Sequence, residues 1–230
     1  MHVAFVSDVH LSPSRPESAR SFLTLLQRLP GVAHSLFILG DLFDQWLGDD
    51  EQTSLFRDVE AALRAASDAG VTVSIAHGNH DFLVGDAFAE RVGCTLTREP
   101  FVVDLFGERT VLLHGDELCT EDTAYQAYRA WTRDLTNQAW FLGLSLDERA
   151  AYADKLRQDS AELKELKPDD IKDVTPSAVN ALFETTGATL MIHGHTHRPA
   201  VHPGAVKTGD HRHPPHTCLL YTSPSPRDRP

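Results

Sequence analysis

The sequence is poor in cysteine and in basic residues, and it lacks any long apolar run. Three widely spaced cysteines among 230 residues argue against a disulfide framework and against a zinc site built on thiolates. The 21 basic residues cannot balance the 33 acidic ones, so we expect no nucleic-acid partner for a chain of net charge −12. No apolar segment reaches the roughly 18–20 residues of a membrane span, and the start lacks signal-peptide features. The expected compartment is a reducing cytosol.

Histidine is abundant instead, with 13 residues, and several of them recur in one context. Short apolar segments that predict buried strands end in loops rich in Asp, His, Asn and Gly. Because ligands collect at the carboxyl ends of strands in layered α/β folds, these loops predict one common site. The loops are Asp8-Val9-His10, Gly40-Asp41, Gly78-Asn79-His80-Asp81, His114-Gly115-Asp116 and His193-Gly194-His195-Thr196-His197.

Helices accompany the predicted strands, and one long segment is helical throughout. Amphipathic helices begin at about Pro16, Ser54 and Pro176. From Glu121 to about Leu166 the chain is polar, amphipathic and free of strand signals. The predicted strands are Val3–Val6, Leu36–Leu39, Val71–Ile75, the hairpin pair Phe101–Leu105 and Thr110–Leu113, and Thr189–Ile192.

The loop residues are of the types that hold transition metals. Residues two apart on an extended segment point the same way, so Asp8 with His10, and His195 with His197, can each face one site. Carboxylate, imidazole and amide oxygens together favour Mn²⁺, Fe or Zn²⁺ over Ca²⁺. A lone histidine is usually a surface or capping residue, but here such residues follow strand after strand. We therefore expect two divalent ions bridged by a carboxylate, a pair that clamps both oxygens of a phosphoryl displacement.

Taken in order, these motifs resemble those of the calcineurin-like metallophosphoesterase superfamily. The shared pattern is Asp-x-His, Gly-Asp, Gly-Asn-His-Asp, His-Gly-Asp and Gly-His-Thr-His. The chain is closer still to one branch, which hydrolyses UDP-2,3-diacylglucosamine in lipid A biosynthesis. The branch features extend over most of the chain and include Asp41–Trp46, His114–Asp122, Tyr125 and Arg129.

The resemblance implies an α/β (α+β) fold, a metallophosphoesterase β-sandwich flanked by helices, with a helical cap insertion. The domain would cover residues 1–202, and the cap would be inserted at about 121–172. The match stops after His202. The Pro-rich remainder, 203–230, resembles translated sequencing-adapter read-through, and we expect it to be non-native or disordered, without a sheet strand.

The resemblance also implies a ligand set for two divalent ions, for which we expect Mn²⁺. The first ion would be held by Asp8, His10, Asp41 and His197, and the second by Asp41, Asn79, His114 and His195, with Asp41 as the bridge. A hydroxide between the ions would attack the α-phosphorus of the UDP-lipid. The products would be UMP and 2,3-diacylglucosamine 1-phosphate.

Further residues would act on the substrate by the same resemblance. His80 and Asp81 resemble the superfamily's catalytic dyad, in which the carboxylate orients an imidazole that protonates or stabilises the leaving oxygen. The chain departs from the branch here, because the branch carries Arg at position 80. The implied substrate contacts are Asn79, His80, Asp122, Ser160, Lys164, Lys167 and His195, with Tyr125 and Arg157 as weaker candidates.

Two features of the predicted cap each admit two interpretations. Arg157, Ser160, Lys164 and Lys167 share one helix face, which is either a phosphate-binding stripe or a solvated surface. The apolar residues of the cap either line a chamber for acyl chains and touch a membrane surface, or pack the cap onto the core. These residues are Tyr125, Tyr128, Trp131, Leu135, Trp140, Phe141, Leu142 and Leu144.

Three functions compete on this sequence. The favoured one is a lipid-nucleotide diphosphatase, peripheral to the cytoplasmic face of a Gram-negative inner membrane, with no obligate protein partner. A generic metal-dependent phosphodiesterase or phosphatase on nucleotides or cyclic nucleotides gains support from His80, whereas the set from Asp122 to Lys167 favours the lipid substrate. A non-catalytic scaffold for protein partners predicts eroded ligands, and all seven are present.

Overall fold

The computed structural model describes residues 2–166, 173–202 and 216–218, and it builds the chain around two β-sheets. The first sheet is parallel and has the order β1 (Val3–Val6), β2 (Ser35–Leu39), β3 (Thr72–Ala76) and β4 (Thr95–Thr97). Parallel neighbours need crossover connections. These are provided by α1 (Pro16–Arg28), α2 (Ser54–Asp68) and α3 (Asp86–Val92). The sequence patterns did not predict α3 and β4, which are only seven and three residues long.

The second sheet is mixed, and helix α7 (Pro176–Thr186) leads into it. Its order is β5 (Phe101–Leu105), β6 (Glu108–Leu112), β7 (Leu190–His193), β9 (His216–Cys218) and β8 (Ala200–His202). The predicted hairpin of β5 and β6 is confirmed. The prediction that no strand follows residue 202 is wrong, because β9 pairs with both β7 and β8. Pairing on two sides outweighs an unfavourable local composition, since strand preference depends strongly on context.

Local sequence signals set several helix ends. Pro16 and Pro176 begin α1 and α7, where a missing backbone N–H costs nothing. The Thr53 hydroxyl accepts a hydrogen bond from the Phe56 N–H at the start of α2. Gly93 and Gly187 end α3 and α7 in the left-handed conformation that glycine adopts without strain.

Apolar side chains of the two sheets face each other and form the centre of a sandwich. Phe5 of β1 stacks on Phe37 of β2 with ring centroids 5.4 Å apart, and Phe37 lies 6.2 Å from Phe101 of β5. Buried Leu112 and Ile192 complete this layer from β6 and β7. Helices α1, α2 and α3 cover the outer face of the first sheet, and α7 covers the second. The predicted sandwich flanked by helices is confirmed.

The segment between the sheet strands β6 and β7 contains three further helices. They are α4 (Thr123–Arg133), α5 (Leu135–Leu142) and α6 (Leu146–Leu166). The carboxylate of Asp122 accepts from the Tyr125 N–H at the start of α4, and that of Asp134 accepts from the first turn of α5. Among the described residues, no helix is both long enough and apolar enough to cross a membrane.

Arg149 fastens this helical cap, residues 123–166, to the first sheet's loops. Its guanidinium is buried and donates to the carbonyl oxygens of Leu47, Leu142 and Leu144 at 2.9–3.0 Å. It also forms a bidentate ion pair with the Asp50 carboxylate, at 2.6 and 2.9 Å. Arg149→Ala leaves three carbonyls and a carboxylate without donors, so we expect a loss of about 2–4 kcal/mol in the free energy of unfolding.

Urea unfolding of Arg149→Ala and Asp50→Ala measures this anchor. The Asp50 side chain is 55% exposed, so Asp50→Ala should cost much less, at most about 1 kcal/mol. Equal costs for the two variants would show that the ion pair, and not the carbonyl contacts of Arg149, holds the cap.

Candidate metal centre

The polar loops that follow five strands meet at one place. Asp8 N donates to Gly40 O at 3.2 Å and joins the loops after β1 and β2. Gly194 N donates to His114 O at 2.7 Å and joins the loops after β7 and β6. His195 N donates to both carboxylate oxygens of Asp8, at 3.1 and 2.9 Å, and so connects the two sheets.

The backbone itself is unusual at this meeting point. Six non-glycine residues of the chain have positive φ among those described, and five of them are predicted ligands. Such conformations cost energy for residues with a Cβ, and they cluster where function requires a particular side-chain direction. The five are Asp8, His10, Asp41, His195 and His197, with φ of 55°, 48°, 53°, 69° and 54°.

Four side chains form a first group. The Nε2 atoms of His10 and His197 are 3.2 Å apart. His197 Nε2 is 3.5 Å from Asp8 Oδ1, and His10 Nε2 is 3.6 Å from Asp41 Oδ2. These are the four residues predicted to hold the first ion.

A second group shares Asp41 with the first. Asp41 Oδ2 is 3.6 Å from His114 Nε2, the same distance that separates it from His10 Nε2. Asn79 Oδ1 is 3.1 Å from His114 Nε2, and the His195 ring centroid is 5.0 Å from that of His114. One carboxylate therefore stands between two imidazole-containing groups, the position that a bridging ligand requires.

The donor chemistry fits divalent metal ions. Ligand atoms come within 4.8 Å of one another in the sets Asp8/His10/His197, His10/Asp41/His80 and Asp8/Asp41/His114. His114 Nδ1 lies 2.9 Å from the Leu39 carbonyl and donates to it, so Nε2 is the nitrogen that faces Asp41 and that a metal ion would bind in place of a proton. His10 Nδ1 lies 3.6 Å from Asp44 Oδ1, so Nε2 is the nitrogen of His10 that faces Asp41. Mixed imidazole and carboxylate ligands suit Mn²⁺, Fe and Zn²⁺.

Charged side chains of the two groups shift one another's pKa values. Burial opposes the charged form of His114, but the carboxylates of Asp41 and Asp8 outweigh it and raise the pKa of His114 to about 10. Burial also opposes the charge on Asp41, yet His114 and the neighbouring imidazoles hold the pKa of Asp41 below its usual range. Burial and then the charge on His114 lower the pKa of His195 to about 3. The buried carboxylates thus favour positive charge at this place, as a cation-binding site requires.

Two glycines allow the loops to approach this closely. A Cβ on Gly78 would overlap the Asp41 carboxylate and backbone nitrogen, and a Cβ on Gly194 would overlap Ser7 and the Asp8 carboxylate. Any side chain at either position would push a predicted ligand out of place.

Asp81 makes its hydrogen bonds with the backbone of neighbouring loops. Its carboxylate is 1% exposed and accepts four backbone N–H groups, from Gly78, Asp41, Leu42 and Phe43, at 2.7–3.3 Å. Both carboxylate oxygens of Asp81 therefore accept hydrogen bonds that join the loops after β2 and β3. These contacts indicate a positioning role for Asp81, and the catalytic role of Asp81 with His80 stays a prediction.

His80 is oriented by a different residue. Its Nδ1 lies 2.8 Å from the Asp44 carbonyl, so Nδ1 donates and Nε2 stays available. Its backbone N–H donates to Asp41 Oδ1 at 2.8 Å, and its exposed ring lies 4.7 Å from that of His10. His80 thus lies beside the metal groups with one nitrogen free for a substrate.

The predicted substrate contacts are only partly described. Asp122 is buried at the start of α4, and the ring of Tyr125 lies 5.5 Å from that of His195. Arg157 donates to the side chain of Gln45. Ser160 and Lys164 belong to α6, but their side chains, like the whole of Lys167, lie outside the described residues.

The apolar residues of the cap divide between the two interpretations. Phe141 and Leu144 pack on the core, as the packing interpretation requires. Trp131, Trp140 and Tyr152 form an aromatic cluster with centroids 5.6–6.3 Å apart. The outward-facing residues are Trp131, Leu135, Trp140, Leu142 and Leu146.

Several residues around the centre have no role in the sequence-based prediction. Asp44, three residues after Asp41, could have been found from its place in the same loop. Glu99 accepts from the His114 N–H, and burial raises the pKa of Glu99 to about 8. Asp116 and Arg133 connect the cap to the site, and no sequence signal distinguishes Arg133 from other helix-surface arginines.

Comparison with known proteins gives the site a family context. The model for calcineurin-like phosphoesterases matches residues 1–199. A UDP-2,3-diacylglucosamine hydrolase of Cellvibrio japonicus is 44% identical over 90% of this chain and 86% of its own length. Proteins of the same name from Xanthomonas oryzae and Pseudomonas aeruginosa are 47% and 44% identical, each over 88% of this chain and 85% of their own lengths.

Proposed function

We propose that this chain, which belongs to the calcineurin-like phosphoesterase family, hydrolyses the diphosphate of UDP-2,3-diacylglucosamine to UMP and 2,3-diacylglucosamine 1-phosphate. The observation that carries the proposal is the position of Asp41 Oδ2, 3.6 Å from an imidazole nitrogen of each group. We assign Asp8, His10, Asp41 and His197 to a first ion, and Asp41, Asn79, His114 and His195 to a second. Residues 1–202 would form the catalytic domain, with the substrate cap inserted at about 121–172.

The chain's own residues have distinct tasks in this proposal. When bound, two divalent ions such as Mn²⁺ supply charge neutralisation for the phosphates and lower the pKa of water toward roughly 7. Asn79 and His195 would also contact the α-phosphate. His80, held through Nδ1 by the Asp44 carbonyl, presents Nε2 toward the oxygen that leaves. Asp81 keeps the Asp41 loop rigid, so that the reacting groups stay aligned.

The lipid substrate is supported by the relatives' names and by the composition of the cap. Asp122, Ser160, Lys164 and Lys167 supply the polar and cationic groups that a sugar phosphate needs. The generic phosphodiesterase alternative rests on His80, which replaces the Arg of the branch.

Hydrolysis rates on two substrates discriminate these alternatives. With Mn²⁺, the protein should release UMP from UDP-2,3-diacylglucosamine and cleave an artificial phosphodiester poorly. Ser160→Ala and Lys164→Ala should raise the KM for the lipid about tenfold, while Lys155→Ala, on the same helix, should not. Cleavage of the diester alone would favour the generic phosphodiesterase. No hydrolysis of either substrate would favour the non-catalytic scaffold for protein partners.

We also propose peripheral contact with the cytoplasmic face of the inner membrane, where a diacylated substrate resides. Leu135 and Trp140, 76% and 50% exposed, would enter the lipid surface from α5. Leu135→Asp should weaken binding to vesicles of bacterial lipids about tenfold, because it removes apolar area and adds an anionic charge. Sedimentation with vesicles measures this, with the distant exposed Val32→Asp as the control. Equal binding of Leu135→Asp and the unchanged protein would contradict the contact.

A further inference from the structure

Arg133, near the end of α4, forms hydrogen bonds with the backbone of the loop that carries Asn79. Its Nη2 donates to the carbonyl oxygens of His77 and Gly78, at 3.2 and 3.1 Å. Its guanidinium also lies 5.9 Å from the centroid of the Phe82 ring, on the same loop. The two carbonyls belong to the residues that immediately precede Asn79. Arg133 therefore fixes the backbone from which the Asn79 amide projects.

The same helix also holds the loop that carries His114. Asp116, two residues after His114, is fully buried, and its Oδ2 accepts from Tyr125 Oη at 2.7 Å and from Arg129 Nε at 2.9 Å. The ring of Tyr125 then lies 5.5 Å from that of His195. Side chains of α4 thus contact the loops that carry Asn79 and His114, and the Tyr125 ring lies beside His195.

The first group is placed differently. Its Asp8 and His10 lie on the loop after β1, and the backbone of that loop is bonded to the loop after β2. Within the described residues, α4 forms no hydrogen bond with Asp8 or His10. The hydrogen bonds of α4 described above therefore support the second group, whereas Arg149 and Arg157 of α6 contact the loop after β2.

We infer that α4 is a brace for the second metal subsite, with Arg133 as its main positioning residue. This inference rests on the proposed two-ion site. Asn79 offers a single neutral oxygen, a weak ligand whose contribution depends on its being held in place before the ion arrives. Outer contacts of this kind typically change metal affinity by about 10–100-fold. The cap would then control metal retention as well as substrate binding.

Titration of Arg133→Ala with Mn²⁺, followed by electron paramagnetic resonance, tests the inference without a substrate. Two neighbouring Mn²⁺ ions give a spin-coupled signal, which a single bound ion cannot give. We expect the Kd of the second ion to rise about 10–100-fold while that of the first stays within about twofold. Arg133→Lys keeps one donor for the two carbonyls and should restore part of the coupled signal.

Asp50→Asn is the matched control, because it weakens the ion pair that joins Arg149 of the cap to the loop after β2 and leaves every hydrogen bond of Arg133 in place. It should keep the coupled signal at the unchanged protein's Mn²⁺ concentrations. Equal loss of the second ion in Asp50→Asn and Arg133→Ala, or none in Arg133→Ala, would overturn the brace. If circular dichroism shows that Arg133→Ala is unfolded, Arg133→Lys becomes the deciding variant, and its Kd for the second ion must rise. A single ion in the unchanged protein would instead overturn the two-ion site.

Discussion

Replacing Asp41 by Ala is expected to reduce turnover about a thousandfold or more and to abolish the paired metal site. The carboxylate is 1% exposed and is the one group shared by both predicted ligand sets. Without it, the two groups share no anionic ligand, and Asp8 alone would have to offset the repulsion between two cations. Loss of the bridging ligand removes both ion affinity and the alignment that the reaction needs.

Metal content and initial rate, measured on the same preparations, check this expectation. Asp41→Asn is the informative companion variant, because it keeps the side-chain shape and one oxygen while it removes the charge. It should retain one ion and little activity. Full activity with two bound ions in Asp41→Ala would contradict the assignment of Asp41 as the bridge.

Asp81→Ala should destabilise the fold by about 3–5 kcal/mol and weaken metal binding as a consequence. Four backbone N–H groups would lose their buried acceptor at once, and each such loss costs about 1–3 kcal/mol before relaxation. Three of those donors belong to residues 41–43, so the Asp41 loop would loosen first.

Thermal or urea unfolding distinguishes this positioning role from direct catalysis by Asp81. His80→Ala serves as the comparison, because the exposed His80 ring contributes little to stability, and its loss should reduce activity without changing the unfolding midpoint. An Asp81→Ala variant of unchanged stability with collapsed activity would restore the dyad of residues 80 and 81.

The fold and the convergence of the site follow from simple sequence regularities. Each buried strand ends in a polar loop, and the carboxyl ends of neighbouring parallel strands lie together, so Asp8 and Asp41 had to meet. The second sheet contributes His114 and His195. They follow strands β6 and β7, which are also parallel neighbours. Strand order and periodicity therefore predict which candidate ligands come together.

The roles of residues around the centre could not be predicted in the same way. His80 Nδ1 lies against the Asp44 carbonyl whereas the Asp81 carboxylate accepts backbone N–H groups, so adjacency in the motif does not reveal which group orients His80. Arg133 contacts carbonyls 55 and 56 residues earlier in the chain, and only the packing of α4 reveals that contact. Strand β9 exists because β7 and β8 offer free hydrogen-bonding edges, which local composition does not encode.

In the proposed reaction, an oxygen derived from water is added to the α-phosphorus of the UDP-lipid. Hydrolysis of UDP-2,3-diacylglucosamine in ¹⁸O-enriched water with Mn²⁺, followed by mass spectrometry of both products, tests it most directly. We expect the label to appear in UMP and 2,3-diacylglucosamine 1-phosphate to stay unlabelled. Label in the lipid phosphate, or no UMP at all, would contradict it.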